Sequence, residues 1–457
     1  MPTIEPTAAP LRTPPSFNTF PSGTVRKRSG PPPIAISDSA NFYVSAERLF
    51  DPKLRGVPVI VLSNNDGCAI ARSDEAKALG IRMGQPLHHL TDVIEKHGVR
   101  VFSSNYTLYG DISRRVVEVY ETYTPNVEVY STDESFLDFS GFGHRGRDRE
   151  HYAKRMQRDV RRKVGIPIRV GIAPTKTLAK CANEIAKTNP ITGGVMDMMD
   201  ACVRAWCLDR VPIGDLWGIG KRTEAKLHTL GIGTAADLRD MPTKQARAIG
   251  TVVLERLVLE LQGEPCLDME LVEPQRKGMA VTRSAGTPML SRDTVLEALT
   301  AHATRLAEKL RSHGLVAGTF TAFWHTNRHK LDRPQMSTSR TTRLFGMSND
   351  TLDLVHAAKR CLEAGWKGDP DQTRYGYTKA GVMVDDLVRE ADRPRMLFDE
   401  PAPRNARISR AMDAVNDRWG RKTVIVASEG FERAWRLRAD HHSPRYTTRM
   451  SDLPLAR

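Results

Sequence analysis

Val127-Glu128-Val129-Tyr130-Ser131-Thr132-Asp133-Glu134-Ser135-Phe136-Leu137-Asp138-Phe139 is β-branched and aromatic on both sides of a polar centre, the composition of a β-hairpin. Asp133 and Glu134 fall at its bend. Neighbours on a regular strand point to opposite faces, but a turn or bulge relaxes that alternation and lets both carboxylates reach one point. Two adjacent carboxylates repel, and burying them is costly unless a cation shares them. A third acid, Asp38, closes the short apolar run Ile34-Ala35-Ile36-Ser37, which reads as a strand. Three acids from two paired strands make a hard-oxygen site suited to Mg²⁺ and to two-metal phosphoryl chemistry. A solvated surface turn is the better account of a lone Asp-Glu pair; here the surroundings of the pair weigh against it.

The 457 residues leave room for about two to four domains, each with its own core. A formal net charge of +14 points to a polyanion, most often nucleic acid, with an anionic membrane surface as the competitor. No apolar run is long enough to span a bilayer, and the start carries no signal-peptide pattern. The six cysteines show neither Cys-x-x-Cys pairing nor histidines at zinc spacing, so reduced thiols in a cytosolic protein are expected. Residues 1–33 are rich in Pro, Thr and Ser and read as a disordered arm or a misassigned start.

After Asp38, the spacing of Phe42, Ala46 and Leu49 predicts a helix. A strand follows over 58–62, then the turn Asn64-Asn65-Asp66-Gly67. Ser73 is set to cap a short helix that Gly80 stops, with Arg72 and Lys77 bracketing it; as lone cations these two read as ordinary surface charges. Helices over 109–122 and 151–164 flank the hairpin, and a strand over 169–173 leads into a helix over 175–187. Strand, helix, hairpin, helix, strand is an α+β sheet on the split βαβ plan, with helices expected on one face.

Leu216-Trp217-Gly218-Ile219-Gly220-Lys221-Arg222-Thr223 fails the Walker spacing and fits the turn of a helix-hairpin-helix. Its glycines let the backbone approach a phosphate, and the next helix offers free N–H groups. Gly218, Gly220 and Lys221 are therefore DNA-backbone candidates, against the plain alternative of a tight interhelical turn. Beyond a linker over 273–277, a helix over 294–312, a strand over 319–324, a helix over 352–364 and a strand over 379–384 give a second small α/β domain. Its basic edge carries Arg328, Arg340 and Arg343 and reads either as a solvated face or as a track for a sugar-phosphate chain. A helix over 408–419 and the basic end Ser443-Pro444-Arg445-Tyr446-Thr447-Thr448-Arg449 complete the chain.

Together these stretches resemble the Y-family translesion DNA polymerases, closest to the UmuC-like branch, from residue 34 to the C-terminus. The specific segments are Val61-Leu62-Ser63-Asn64-Asn65-Asp66-Gly67-Cys68, Phe102-Ser103-Ser104-Asn105-Tyr106, Tyr130-Ser131-Thr132-Asp133-Glu134-Ser135-Phe136, Thr175-Lys176-Thr177-Leu178-Ala179-Lys180 and Ser443-Pro444-Arg445-Tyr446-Thr447-Thr448-Arg449-Met450-Ser451-Asp452-Leu453. The resemblance implies a right-hand architecture: palm over 34–43 and 104–194, fingers over 44–103, a helix-hairpin-helix thumb over 195–270, a little finger over 278–390 and a C-terminal region over 391–457.

It also implies roles. Asp38, Asp133, Glu134 and the Ser39 carbonyl would hold two Mg²⁺ ions; Phe42, Tyr43, Ser73, Lys77 and Lys187 would meet the incoming deoxynucleoside triphosphate. Many relatives have Arg at the position of Lys77, where Lys keeps the charge but not the planar fork. The implied partners are damaged and primed DNA, a processed UmuD-type dimer and a RecA filament, in the nucleoid of a bacterial cytoplasm. A sliding-clamp peptide is degenerate here: Pro394-Arg395-Met396-Leu397-Phe398 lacks the expected glutamine, which implies weak clamp binding. The implied function is error-prone, Mg²⁺-dependent DNA synthesis past lesions in SOS mutagenesis and repair. Two rivals are a non-catalytic damaged-DNA-binding protein, which has no use for the acids and the lysines, and a helix-hairpin-helix nuclease, which has no use for the lysines.

Overall fold

The computed structural model describes residues 31–140, 146–272, 274–330, 332–366, 375–394, 404–431, 433 and 435–453. Most of the proline-rich arm (1–30) and residues 395–398 of the clamp peptide lie outside the described residues. The chain forms two compact units: one combines the chain up to Val61 with Ala69–Glu273 and His442–Arg457, the other combines Leu62–Cys68 with Pro274–His441.

The first unit is built around β1 (Ile34–Ser39), every residue of which is buried. It is the middle strand of a five-stranded sheet ordered β5 (Val127–Val129), β6 (Glu134–Asp138), β1, β7 (Ile168–Ala173), β8 (Val195–Asp197). β1 runs antiparallel to β6 and β7, and β8 adds parallel to β7. A strand buried on both faces needs cover on both, so helices lie on the two sides rather than on one as expected from the sequence. Ile34, Ile36 and Phe136 pack with α6 (Lys176–Thr188). Ala35, Leu137, Val170 and Ile172 pack with α1 (Phe42–Phe50) and α4 (Tyr106–Glu121), together with buried residues of α5 (Gly146–Lys163). Between α1 and α4 the chain makes a three-stranded sheet, β3 (Ala69–Arg72), β2 (Val59–Leu62), β4 (Arg100–Ser103), with the short helices α2 (Asp74–Ala78) and α3 (Thr91–His97).

α6 lies against β7 at Gly171. A Cβ there would stand 2.3 Å from both the Ala179 carbonyl oxygen and the Asn183 backbone nitrogen. Thr175 caps the helix by accepting from the Leu178 N–H at 3.2 Å. The fully buried Glu260 carboxylate accepts from the Thr177 N–H at 3.1 Å, an anion on a helix N-terminus. Glu260 belongs to α10 (Thr243–Gln262), which follows α7 (Ala201–Leu208), α8 (Lys221–His228) and α9 (Ala235–Arg239). The turn before α8 is the glycine-rich stretch read from the sequence: Gly218 has φ +91°, and Gly220 is the N-cap of α8.

The second unit is an antiparallel sheet ordered β11 (Ser337–Ser348), β10 (Leu315–His325), β12 (Tyr377–Arg389), β9 (Gly278–Met289). α11 (Arg292–Ser312) and α12 (Thr351–Gly365) share its core with Phe320, Ala322, Trp324, Val382 and Val384. α13 (Arg404–Trp419) is fixed by Arg311, whose guanidinium donates to both Asp413 oxygens at 2.6 and 2.8 Å.

Candidate active site

The hairpin forms with residues 130–133 as its connection, so Asp133 lies at the bend as read, whereas Glu134 is not in the bend but opens β6, where the strand ladder already holds it. Asp38 lies opposite Glu134 on β6 and opposite Arg169 on β7. The Ser39 N–H donates to the Asp133 carbonyl at 2.8 Å, which pins the hairpin tip beside the end of β1. Ser131 closes the loop: its hydroxyl donates to Asp133 Oδ1 at 2.7 Å and accepts from the Glu134 N–H at 3.1 Å. The three acids named from the sequence are thus neighbours in space.

Each of two carboxylates holds a lysine of α6. Lys187 Nζ is 2.9 Å from Asp38 Oδ2, and Lys180 Nζ is 2.8 Å from Glu134 Oε2. Burial pushes the Asp38 carboxyl above the usual carboxylate range despite Lys187, and Glu134 and Asp133 push the same way. Burial works against the charge on Lys187, but the Asp38 carboxylate outweighs it and the ammonium is held above its ordinary pKa. Lys180 also sits over the rings of Tyr130 and Trp217, at 4.5 and 5.4 Å from their centroids. Lys180 was not singled out from the sequence, although its signal was present. It stands seven residues, close to two helical turns, before Lys187 and so shares its face.

A cavity of about 650 Å³ opens in front of these groups. Asp38, Ser39, Phe42, Tyr43, Lys77, Asp133 and Lys187 all line it, as do Asn41 and Arg169, which the sequence reading passed over. Lys77 reaches it from α2, donating to Asn41 Oδ1 at 2.7 Å and to Asp74 at 2.9 Å. Tyr43 is half-buried, stacked on Tyr109 with ring centroids 4.3 Å apart and an interplanar angle of 15°. Ser73 stands behind the wall rather than on it. It is fully buried, and its hydroxyl accepts from the Val59 N–H at 3.0 Å and the Ala76 N–H at 3.2 Å. It ties β2 to α2 instead of facing the cavity. Among the described residues, no three His, Cys, Asp or Glu side chains are grouped closely enough to hold a metal ion; Asp38 and Glu134 are turned to their lysines.

The chain matches the impB/mucB/samB family over residues 37–184, the IMS family HHH motif over 202–232 and the impB/mucB/samB C-terminal domain over 276–397. A domain of unknown function matches 406–456. The chain is 39% identical to Protein UmuC of Salmonella typhimurium over 92% of this chain and 99% of that one. It is 39% identical to Protein ImpB of Salmonella typhimurium (93% and 99%), and 30% identical to DNA polymerase IV of Moorella thermoacetica (86% and 94%). The chain belongs to the Y-family DNA polymerases. Among solved structures, the Y-family polymerase chimera Dbh-Dpo4(243-245)-Dbh superposes with a TM-score of 0.61 at 18% identity, covering 78% of this chain and 99% of that one. The α+β right-hand fold expected from the sequence is therefore the fold of this Y-family chain.

Two further regions of this Y-family member carry the remaining candidates. Gly218, Gly220 and Lys221 are exposed at the start of α8. On β11 the two arginines separate. Ser339, Thr341 and Arg343 are exposed on one side, whereas Thr338 and Leu344 are buried on the other. Arg340 shares the parity of Thr338, and its Nε donates to the Ala364 carbonyl, near the end of α12, at 3.4 Å. Three residues apart on a strand means opposite faces, so the two arginines, both exposed, do not share one face of β11. Arg328, with Lys330, Arg333 and Lys379, lines a separate cavity of about 560 Å³ in the same unit.

Proposed function

We propose that this chain is a translesion DNA polymerase, adding deoxynucleotides on a primed, damaged template with low fidelity. One observation carries the assignment: Asp38, Asp133, Lys77, Lys187 and the stacked Tyr43 line one cavity, with Glu134 paired to Asp38 across the strands beside it. In the reaction the primer 3′-oxygen bonds to the α-phosphorus, the bond to the β-phosphate bridging oxygen breaks, and pyrophosphate leaves.

Asp38, Asp133, Glu134 and the Ser39 carbonyl are the proposed holders of two Mg²⁺ ions. In kind the donors suit Mg²⁺, since every one is a hard oxygen and two of the carboxylates already stabilise an ammonium group at 2.8–2.9 Å, although those two face their lysines rather than one shared point. When bound, such ions neutralise the triphosphate and make the 3′-hydroxyl a better nucleophile. The protein's own part is positioning. Lys77 and Lys187 supply positive charge for the phosphates, Phe42 backs the α1 end of the cavity, and Tyr43 bounds the sugar. The helix-hairpin-helix turn and Arg343 are proposed to follow the DNA backbone, while Arg340 braces α12. A processed UmuD-type dimer and a RecA filament complete the proposal as partners, with the sliding clamp as a weak one, in the bacterial cytoplasm. No helix among the described residues is long and apolar enough to cross a membrane.

Primer extension with and without Mg²⁺ tests the assignment; a folded protein that fails to extend a primer with Mg²⁺ would overturn it. Tyr43→Ala is expected to keep most deoxynucleotide insertion while admitting ribonucleotides. The 2′-hydroxyl then no longer clashes with the ring, and relief of such overpacking corresponds to roughly 5- to 150-fold in the ratio, about 1–3 kcal/mol. Single-nucleotide insertion with paired deoxy- and ribonucleoside triphosphates measures it, and an unchanged ratio removes Tyr43 from the sugar site. DNA affinity is expected to fall steeply with salt. Arg343→Ala should weaken binding evenly across sequences and lower the salt slope by about one, whereas Arg340→Ala should leave the slope nearly unchanged. Binding isotherms across a salt series decide between the two.

A further inference from the structure

The sugar-side tyrosine is the near end of a continuous set of contacts that finishes in the C-terminal tail. Tyr43 stacks on Tyr109 of α4, which is fully buried. The Tyr109 hydroxyl donates to Glu47 Oε1 at 2.6 Å. Glu47 lies one turn after Tyr43 on α1 and is only 2% exposed. The same Glu47 oxygen accepts from the Ser443 hydroxyl at 2.9 Å. Two hydroxyls, rather than a cation, hold this buried acid; burial pushes its carboxyl up, and the two hydroxyls pull the other way.

Ser443 is itself buried and is gripped from α4. The Asn105 side-chain amide donates to the Ser443 carbonyl (3.1 Å), the Ser443 hydroxyl (3.0 Å) and the Pro444 carbonyl (3.1 Å). Its oxygen meanwhile caps α4 by accepting from the Leu108 N–H at 3.3 Å. Tyr446 stacks on Phe50, the last residue of α1, with centroids 4.6 Å apart and an interplanar angle of 11°. The tail therefore grips α1 at Glu47 and Phe50 and α4 at Asn105, the two helices whose tyrosines stack at the cavity.

We propose that the tail segment around Ser443, Pro444 and Tyr446 is a positioning element for sugar discrimination, fixing the plane of Tyr43 through Glu47 and Tyr109. This rests on the reading of Tyr43 as the residue that meets the sugar. It gives the end of the matched domain of unknown function a task inside the polymerase unit. Glu47, Asn105, Ser443 and Tyr446 touch no reacting atom; they act through Tyr43. A ring whose support is loosened turns aside for a 2′-hydroxyl, while a deoxyribose, which needs no such displacement, is accepted as before.

The test uses the full-length chain and single-nucleotide insertion on an undamaged primer-template with both sugars. Ser443→Ala is expected to lower the deoxy-to-ribo ratio roughly 2- to 10-fold, the scale of one hydrogen bond, with deoxynucleotide kcat nearly unchanged. Ser443→Thr, which keeps the hydroxyl, should restore the ratio; a general loss of packing would not be rescued this way. In the Tyr43→Ala background, Ser443→Ala should change the ratio no further, since the ring through which it acts is gone. If Ser443→Ala does not fold, Tyr446→Leu asks the same question through the Phe50 stack. A folded Ser443→Ala or Tyr446→Leu protein with the wild-type ratio overturns the proposal, provided Tyr43→Ala alone lowers it. An unchanged ratio in Tyr43→Ala overturns the sugar-site reading instead.

Discussion

Asp133→Ala lowers nucleotide insertion on the order of 10³-fold or more while leaving DNA binding close to wild type: that is the expected result, at the scale of losing one preorganised charge-stabilising group. The Asp133 side chain is exposed at the hairpin tip, so its removal disturbs little packing. What pins the tip is the Asp133 main-chain carbonyl, which accepts from Ser39 and survives the substitution. The hairpin stays in place, Asp38 keeps Lys187, and only one carboxylate disappears from the cavity wall. Asp38→Ala should be equally damaging to insertion but harder to interpret, because it also strands the partly buried Lys187. Single-turnover insertion, alongside fluorescence anisotropy for DNA and a thermal melt, separates chemistry from folding. Near-normal insertion by a folded Asp133→Ala protein would remove the hairpin acids from the site.

The largest effect on stability is expected at a buried ion pair just behind that hairpin. Lys176 Nζ lies 2.6 Å from Glu128 Oε2, with side chains 5% and 8% exposed. Lys176 also donates to the Asp268 carbonyl at 2.6 Å, and Glu128 accepts from the Glu270 N–H at 2.8 Å. The pair joins the first strand of the hairpin, the first residue of α6 and the chain beyond α10. Removing one partner leaves the other charged and desolvated, so Lys176→Met is expected to cost about 3–5 kcal/mol. Replacing both, Glu128→Leu with Lys176→Met, should cost markedly less, because no orphan charge remains. Denaturant unfolding of the two singles and the double gives the coupling. A single variant that loses under about 1 kcal/mol, or a double worse than either single, would refute this account.

Most of what positions the site was legible because it is local. The apolar run before Asp38, the β-branched strands of the hairpin and the Ser73 cap each carry their signal within a few residues, and each forms as read. β9 gave no such signal. Gly278, Gly286 and Pro288 interrupt it, and in Gly278–Met289 only Met279, Val281 and Met289 are buried. β3 and β4 have four residues each, too few for a period to show. The separation of Arg340 from Arg343 was readable from their odd spacing along the polar strand over 337–343. The Glu47–Ser443 bond was not readable at all, because nothing in either local sequence marks a partner 396 residues away.

The close approach of α6 to β7 bears on how this site can change. Both lysines that meet the carboxylates ride on α6, and that helix rests on the sheet where Gly171 has only a hydrogen. Any larger residue would need to move the backbone at Ala179 and Asn183 away by roughly 1 Å to regain normal contact. No side chain offers a smaller step, since alanine is already the least addition available. The lysine-to-carboxylate spacing therefore has a coarse stop rather than a dial at this position. Retuning it gradually, by drift or by engineering, has to proceed through the flanks of the helix.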